Sequence, residues 1–223
     1  VQEVIEEKMS LMLRTGLEIT GCGRTDTGVH ARNYYFHFDY PGPLPEGFAH
    51  RLDRFLPEDI AVHEIVPVHE TAHARFDAQA RTYQYFMGRH KDPFQHHVRW
   101  HFHGLDSLNL DAMQEAASAL KDYNAFSPFC KSHSSAKTML CRLDDAYWDR
   151  DEEGLVFTIT ADRFLRGMVR LVVGMCVSIG TEKMTLDDLH RSMDAQIPLP
   201  HAYAVPAEGL FLCAIRYAYL GGK

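Results

Sequence analysis

The chain has 223 residues, 46% hydrophobic and 24% charged, with a formal net charge of −7 when histidines are neutral. That is an ordinary globular balance, enough for one large domain or two small ones and for a sizeable core. No apolar run reaches the length of a membrane-spanning helix, the richest (residues 171–179) being too short, and no basic, apolar, small-residue leader marks secretion. The five cysteines are scattered and form no CxxC pair, which points to reduced thiols in the cytoplasm. The acidic balance argues mildly against a nucleic-acid partner, but a phosphate backbone feels local patches. Between residues 72 and 104 the basic side chains Arg75, Arg81, Arg89, Lys91 and Arg99 are opposed only by Asp77 and Asp92, and Arg163, Arg166 and Arg170 form a second set.

In chain order, residues 1–14 carry helical apolar spacing and residues 17–22 a short strand, followed by a loop punctuated by Gly21, Gly23 and Gly28. Residues 32–40 alternate, with Tyr34, Phe36, Phe38 and Tyr40 on one face, as in a half-buried strand. A short helix is expected over 47–55 and strands over 60–66 and 81–87. Leu110, Met113, Ala117 and Leu120 fall at helical spacing after Asn109, a candidate N-cap. Residues 140–148 and 155–161 read as a strand pair about a polar turn, 164–179 as a largely buried helix, 186–193 as a short helix and 210–219 as a closing strand. Helices mixed with adjacent strand pairs favour an α+β fold with antiparallel sheets.

Two local patterns carry chemistry. In Gly23-Arg24-Thr25-Asp26-Thr27-Gly28-Val29-His30-Ala31, glycines flank an aspartate with an arginine two residues away. Such a loop can present a charge-balanced carboxylate to a ligand, and equally Asp26 can serve only as a turn residue. Arg163, Arg166 and Arg170 read either as one solvated stripe or as a set in which Arg170, within the apolar helix, is buried and needs a carboxylate partner. The second pattern is His69-Glu70-Thr71-Ala72-His73, an H-E-x-x-H string that on a helix would place both histidines on one face for a zinc hydrolase. The metzincin extension fails, since Phe76 and Gln79 stand where a glycine and a third histidine belong. A non-catalytic RNA-binding module using the same basic residues is another reading.

The Asp26 loop resembles the signature Gly-Arg-Thr-Asp-x-Gly-Val-His-Ala of the A-type tRNA pseudouridine synthases. The resemblance continues through residues 51–60 (RLDRFLPEDI), His73-Ala74-Arg75-Phe76, the Ala-x-x-Tyr-x-Tyr string of residues 80–85, residues 164–170 (FLRGMVR) with Gly174, and Pro206-Ala207-Glu208-Gly209-Leu210. Ala72 departs from the family's usual phenylalanine. The chain opens at what resembles the family's first helix, so the strand and the loop that precede it are expected to be missing.

The resemblance implies two similar α+β modules, residues 1–76 with the catalytic loop and residues 77–223, each an antiparallel sheet with helices, the active cleft lying between them. It implies conversion of uridine to pseudouridine in the anticodon stem-loop of tRNA (positions 38 to 40), by a cytoplasmic homodimer. Uracil is detached from ribose and rejoined through carbon, with the same atoms in and out, so neither cofactor nor metal is expected. Asp26, Tyr83 and Arg170 are the implied catalytic residues: the carboxylate, a ring to stack on uracil, and the ionic partner of Asp26. Arg24, Thr25, His30, Arg75, Arg81, Arg166 and Leu210 are the implied substrate contacts, Arg24 to help extrude the target nucleotide and Leu210 to pack against the base.

Overall fold

The computed structural model describes residues 1–130, 137–201 and 203–220. In chain order these form α1 (Gln2–Leu13), β1 (Thr20–Gly21), β2 (His30–Ala31), β3 (Phe36–His37), α2 (Phe48–Phe55), β4 (Ala80–Gly88), β5 (Trp100–His101), α3 (Leu110–Ala119), β6 (Leu143–Arg150), β7 (Gly154–Ala161), α4 (Met168–Gly180), α5 (Leu186–Ala195) and β8 (Leu210–Arg216). The fold is α+β. Two compact units divide the chain: residues 1–24 and 34–78 with the chain from Tyr217, and residues 25–33 with 79–216. The Asp26 loop, placed in the N-terminal module from the sequence, thus groups with the second unit, because β2 directly after it is hydrogen-bonded to β8.

In the first unit α1 and α2 bury Ile5, Met9, Phe48 and Leu52 together with Leu17, Ile19 and Leu56. Arg14 ends α1 in a left-handed conformation (φ 53°), its N–H donating to the Ser10 carbonyl. The alternation over residues 32–40 yields only a two-residue strand, β3, antiparallel to β1. Period-two spacing reports which side chains face inward, not whether a neighbouring backbone is present to pair. The strand expected over 60–66 is likewise absent. Ile60, Val62 and Ile65 do pack on the core, but the Val62 N–H donates to the Asp53 carboxylate at 2.9 Å instead of joining a ladder.

The second unit is built on a six-stranded mixed sheet in the order β2-β8-β4-β7-β6, with β5 alongside β4. β4, β6, β7 and β8 pair antiparallel, whereas β2 runs parallel to β8 and β5 parallel to β4. Asn109 caps α3 by accepting from Ala112 N–H at 3.1 Å. Gln114 of α3 accepts from Trp148 N–H at 2.7 Å, occupying a backbone donor of the edge strand β6. α4 is apolar almost all round and correspondingly buried, from Met168 through Gly180 except for Arg170 and Leu171. It begins four residues later than its apolar spacing suggests, because Gly167 (φ +72°) breaks the helical path at its N-cap.

Candidate active site

Asp26 opens a four-residue turn closed by the Val29 N–H donating to the Asp26 carbonyl at 3.1 Å. The third position is Gly28 at φ +82°, the value a type II turn requires and the reason for glycine there. A Cβ on Gly28 would also lie 3.2 Å from the Ala207 methyl. Beyond the turn His30 and Ala31 pair with Phe211 and Leu212, and Arg32 N–H donates to Leu212 O at 2.8 Å. The loop is therefore clamped to β8 immediately after the aspartate.

Arg170, in the first turn of α4, faces this loop. Its Nη1 lies 3.5 Å from Asp26 Oδ2, with side-chain exposures of 16% and 35%. Its Nε donates to Val205 O at 2.6 Å, while Val205 N–H donates to Arg170 O at 3.3 Å. The guanidinium is thus gripped on one edge by a backbone carbonyl and presents the other to the carboxylate. Gly174, one turn on, explains how the 203–205 segment comes so close: a Cβ there would stand 2.0 Å from Tyr203 O. Pro206 O accepts from the buried Tyr85 hydroxyl at 2.9 Å. Burial first, then the Glu208 charge, pushes that phenol well above the ordinary tyrosine range, so it remains a neutral donor.

Strand alternation sends Tyr83 and Tyr85 to the face of β4 opposite Leu212 and Leu210 of β8. Tyr83 meets Phe164 edge to face, with centroids 5.1 Å apart. Val29, Tyr83 and Phe164 pack on the same apolar cluster that holds Leu210, which is 6% exposed. The carboxylate–guanidinium pair and an apolar, aromatic surface are therefore products of one unit.

The other sequence-derived residues are dispersed. His30 stacks on Phe211 at 4.6 Å and bonds through Nε2 to His97 O at 2.6 Å. Arg81 donates to Asp162 O at 2.9 Å. Thr25 and Arg166 are exposed. Arg163 and Arg166 precede α4, so the one-face arginine stripe does not form; only Arg170 is on the helix. In the first unit Arg24 and Arg75 line one cleft with Thr20, Gly21 and Gly23. Sequence reasoning missed Val205 and Tyr85, whose roles run through backbone contacts; Tyr85 was legible only as a member of the Tyr-x-Tyr string.

The zinc reading is corrected by the backbone. Residues 69–73 are not helical, so the spacing that would align two imidazoles is lost. His69 Nδ1 pairs with Thr71 Oγ1, and His73 Nδ1 accepts from Arg75 and Phe76 N–H. Among the described residues no group of three or more His, Cys, Asp or Glu is arranged to hold a metal ion.

A family model described as tRNA pseudouridine synthase matches residues 116–218. A tRNA pseudouridine synthase A of Parabacteroides distasonis is 42% identical over 219 residues, covering 97% of this chain and 86% of the relative. The chain belongs to the tRNA pseudouridine synthase family. Its similarity extends to the enzyme of that name from Bacteroides fragilis (40% identity, 97% of this chain and 86% of the relative) and to that from Bacillus subtilis (31%, 97% and 89%). Within this synthase family chain, the Asp26–Arg170 pair joins residues 144 apart in sequence.

Proposed function

We propose that this chain is an isomerase that converts uridine to pseudouridine in the anticodon stem-loop of tRNA, at positions 38 to 40, with Asp26 as the catalytic carboxylate. The observation that carries the reading is the 3.5 Å approach of Arg170 to Asp26 in the loop that bears the family's signature string. The reaction breaks the bond between ribose C1′ and N1 of uracil, turns the base, forms the bond from C1′ to C5, and moves the C5 proton away while N1 gains one. A carboxylate at the sugar–base junction meets that need by covalent or electrostatic action. Arg170 orients and charge-balances it. Tyr83 offers a ring to the uracil face, and Leu210 an apolar wall.

Arg24, Thr25, His30, Arg75, Arg81 and Arg166 are assigned to RNA contact, with Arg24 aiding extrusion of the target nucleotide. We further assign the chain to the cytoplasm, in keeping with five cysteines that form no disulfide, and to a homodimer, as the resemblance implies. The deciding experiment pairs Asp26→Ala with direct detection of pseudouridine in a tRNA transcript. Product should vanish while tRNA binding is largely kept; full activity in the variant removes Asp26 from the chemistry. Pseudouridine mapping in tRNA from cells with and without the protein identifies the modified positions, and sedimentation equilibrium tests the dimer.

A further inference from the structure

The H-E-x-x-H string ends in a histidine whose role the zinc reading does not explain. The chain reverses over residues 73–77, and side chains hold four of the five N–H groups of that turn. His73 N–H donates to Asp77 Oδ2 at 2.7 Å, and Asp77 N–H returns to His73 O at 3.0 Å. Arg75 and Phe76 N–H both donate to His73 Nδ1, at 3.1 and 3.3 Å. Ala74 N–H donates to Nδ1 of His37, on β3, at 3.1 Å. The Ala74 carbonyl accepts from the Tyr217 hydroxyl. All of these residues belong to the first unit.

A ring nitrogen that accepts a hydrogen bond must carry a lone pair, so both imidazoles serve here as neutral Nε2–H tautomers. Protonating His73 would aim a new N–H at two existing N–H donors, and protonating His37 would do the same to Ala74. With centroids 4.8 Å apart, two imidazolium rings would also repel each other. The charged and titratable groups about the pair are Asp77 and Arg75 on the turn, Tyr217, Tyr219, and His69 through its contact with Tyr219. Asp77, the one acid among them, has Oδ2 engaged by His73 N–H and, at 3.3 Å, by the Tyr219 hydroxyl.

We propose that His73 and His37 are positioning residues whose neutral Nδ1 atoms hold the turn that presents Arg75 to tRNA, making substrate affinity depend on their protonation. The inference rests on the assignment of Arg75 as an RNA contact. The turn holds while both Nδ1 atoms accept and is lost when they are protonated. Exposed histidines elsewhere work in the opposite sense, since their protonation adds positive charge and strengthens binding to phosphate.

The test is the pH profile of KM and kcat for a tRNA transcript with the full chain. The wild-type KM should rise about tenfold from about pH 8 to about pH 5.5, as the turn loses its two acceptors. His73→Asn keeps an acceptor that closes such turns but does not titrate, so its KM near pH 8 should stay within about twofold of wild type with a flatter rise. The double variant His37→Asn/His73→Asn should be flatter still. His73→Ala should raise KM about tenfold at every pH while leaving kcat little changed. Arg75→Gln should raise KM near pH 8 and abolish its rise. A His73→Asn profile that tracks wild type, with Arg75→Gln still impaired, overturns the cap. An Arg75→Gln KM equal to wild type overturns the proposal through the Arg75 assignment instead, and neither result touches the Asp26→Ala test.

Discussion

Removing the Arg170 guanidinium tests both the stability and the chemistry assigned to the pair. At 3.5 Å, Coulomb's law gives about 1 kcal/mol at the dielectric of water and about 5 kcal/mol at an intermediate one. With 35% of the Asp26 side chain exposed, desolvation and screening bring the net coupling to about 1–2 kcal/mol. Arg170→Met also strips Val205 O of its Nε donor, a charge-assisted bond at 2.6 Å, adding about 1–3 kcal/mol. The variant should therefore lose about 2–5 kcal/mol, a fall in Tm of about 4–20 °C for a chain of this size. Asp26→Asn should lose about 1–2 kcal/mol, the coupling to Arg170. In a double-mutant cycle the two changes should be non-additive by about 1–2 kcal/mol, and less so at high salt. In the pseudouridine assay Asp26→Asn should be inactive, and Arg170→Met should lower kcat by about 10²–10³ with a smaller change in KM, because the carboxylate remains but is no longer oriented. Additive single mutants together with a kcat for Arg170→Met within a few-fold of wild type would refute the pairing.

Gly174→Ala should be among the most damaging single-methyl changes, costing about 3 kcal/mol or more, because its Cβ would meet the backbone oxygen of Tyr203 at 2.0 Å; a Tm within about 2 °C of wild type would contradict the close approach. Gly28→Ala, at φ +82°, should cost about 1–2 kcal/mol and lower kcat by misplacing Asp26, as thermal melts and single-turnover kinetics can show. Burial raises the Asp151 carboxyl, but the Arg99 bond and the Gly154 and Glu153 N–H groups outweigh it and hold its pKa below the ordinary value. The stabilisation is thus present above the unfolded carboxyl pKa and lost as pH falls through the folded one. Asp151→Asn should be less stable than wild type at neutral pH by about 1–2 kcal/mol, with the gap closing below about pH 4; a gap that persists in acid would deny the charge its role. Burial pushes the Cys176 thiol up to about 12 and the Cys141 thiol up to about 11. Both should resist a thiol reagent near neutral pH until the protein is denatured, and rapid native labelling of either by mass spectrometry would count against the packing.

The local elements were largely legible. The apolar spacing of 110–120 and the Asn109 cap became α3, and 155–161 with its upstream partner became the β6–β7 hairpin. These signals are written in neighbouring residues, and propensity and periodicity suffice to read them. The eight-position match about Asp26 likewise pointed to the family with no three-dimensional information. Errors fell where a distant partner or one dihedral angle decides. Residues 32–40 alternate as a strand does, yet only two of them find a ladder partner. Arg163, Arg166 and Arg170 fall where one helix would put them on one face, but Gly167 starts the helix too late for the first two.

The chain's own residues determined that Asp26 stands in a glycine-flanked turn and that an arginine follows much later on an apolar helix. Only the tertiary structure decided that the two meet. Their 144-residue separation carries no periodic signal; the meeting depends on β2 running parallel to β8 and on a helix without a side chain at Gly174, over which the 203–205 segment can lie. Likewise, H-E-x-x-H spelled a zinc motif only on the assumption of a helix. The backbone at residues 69–73 is not helical, so the same histidine became a cap for its own turn. A side chain's chemistry is local, whereas its partner is set by packing, and packing is a property of the whole chain.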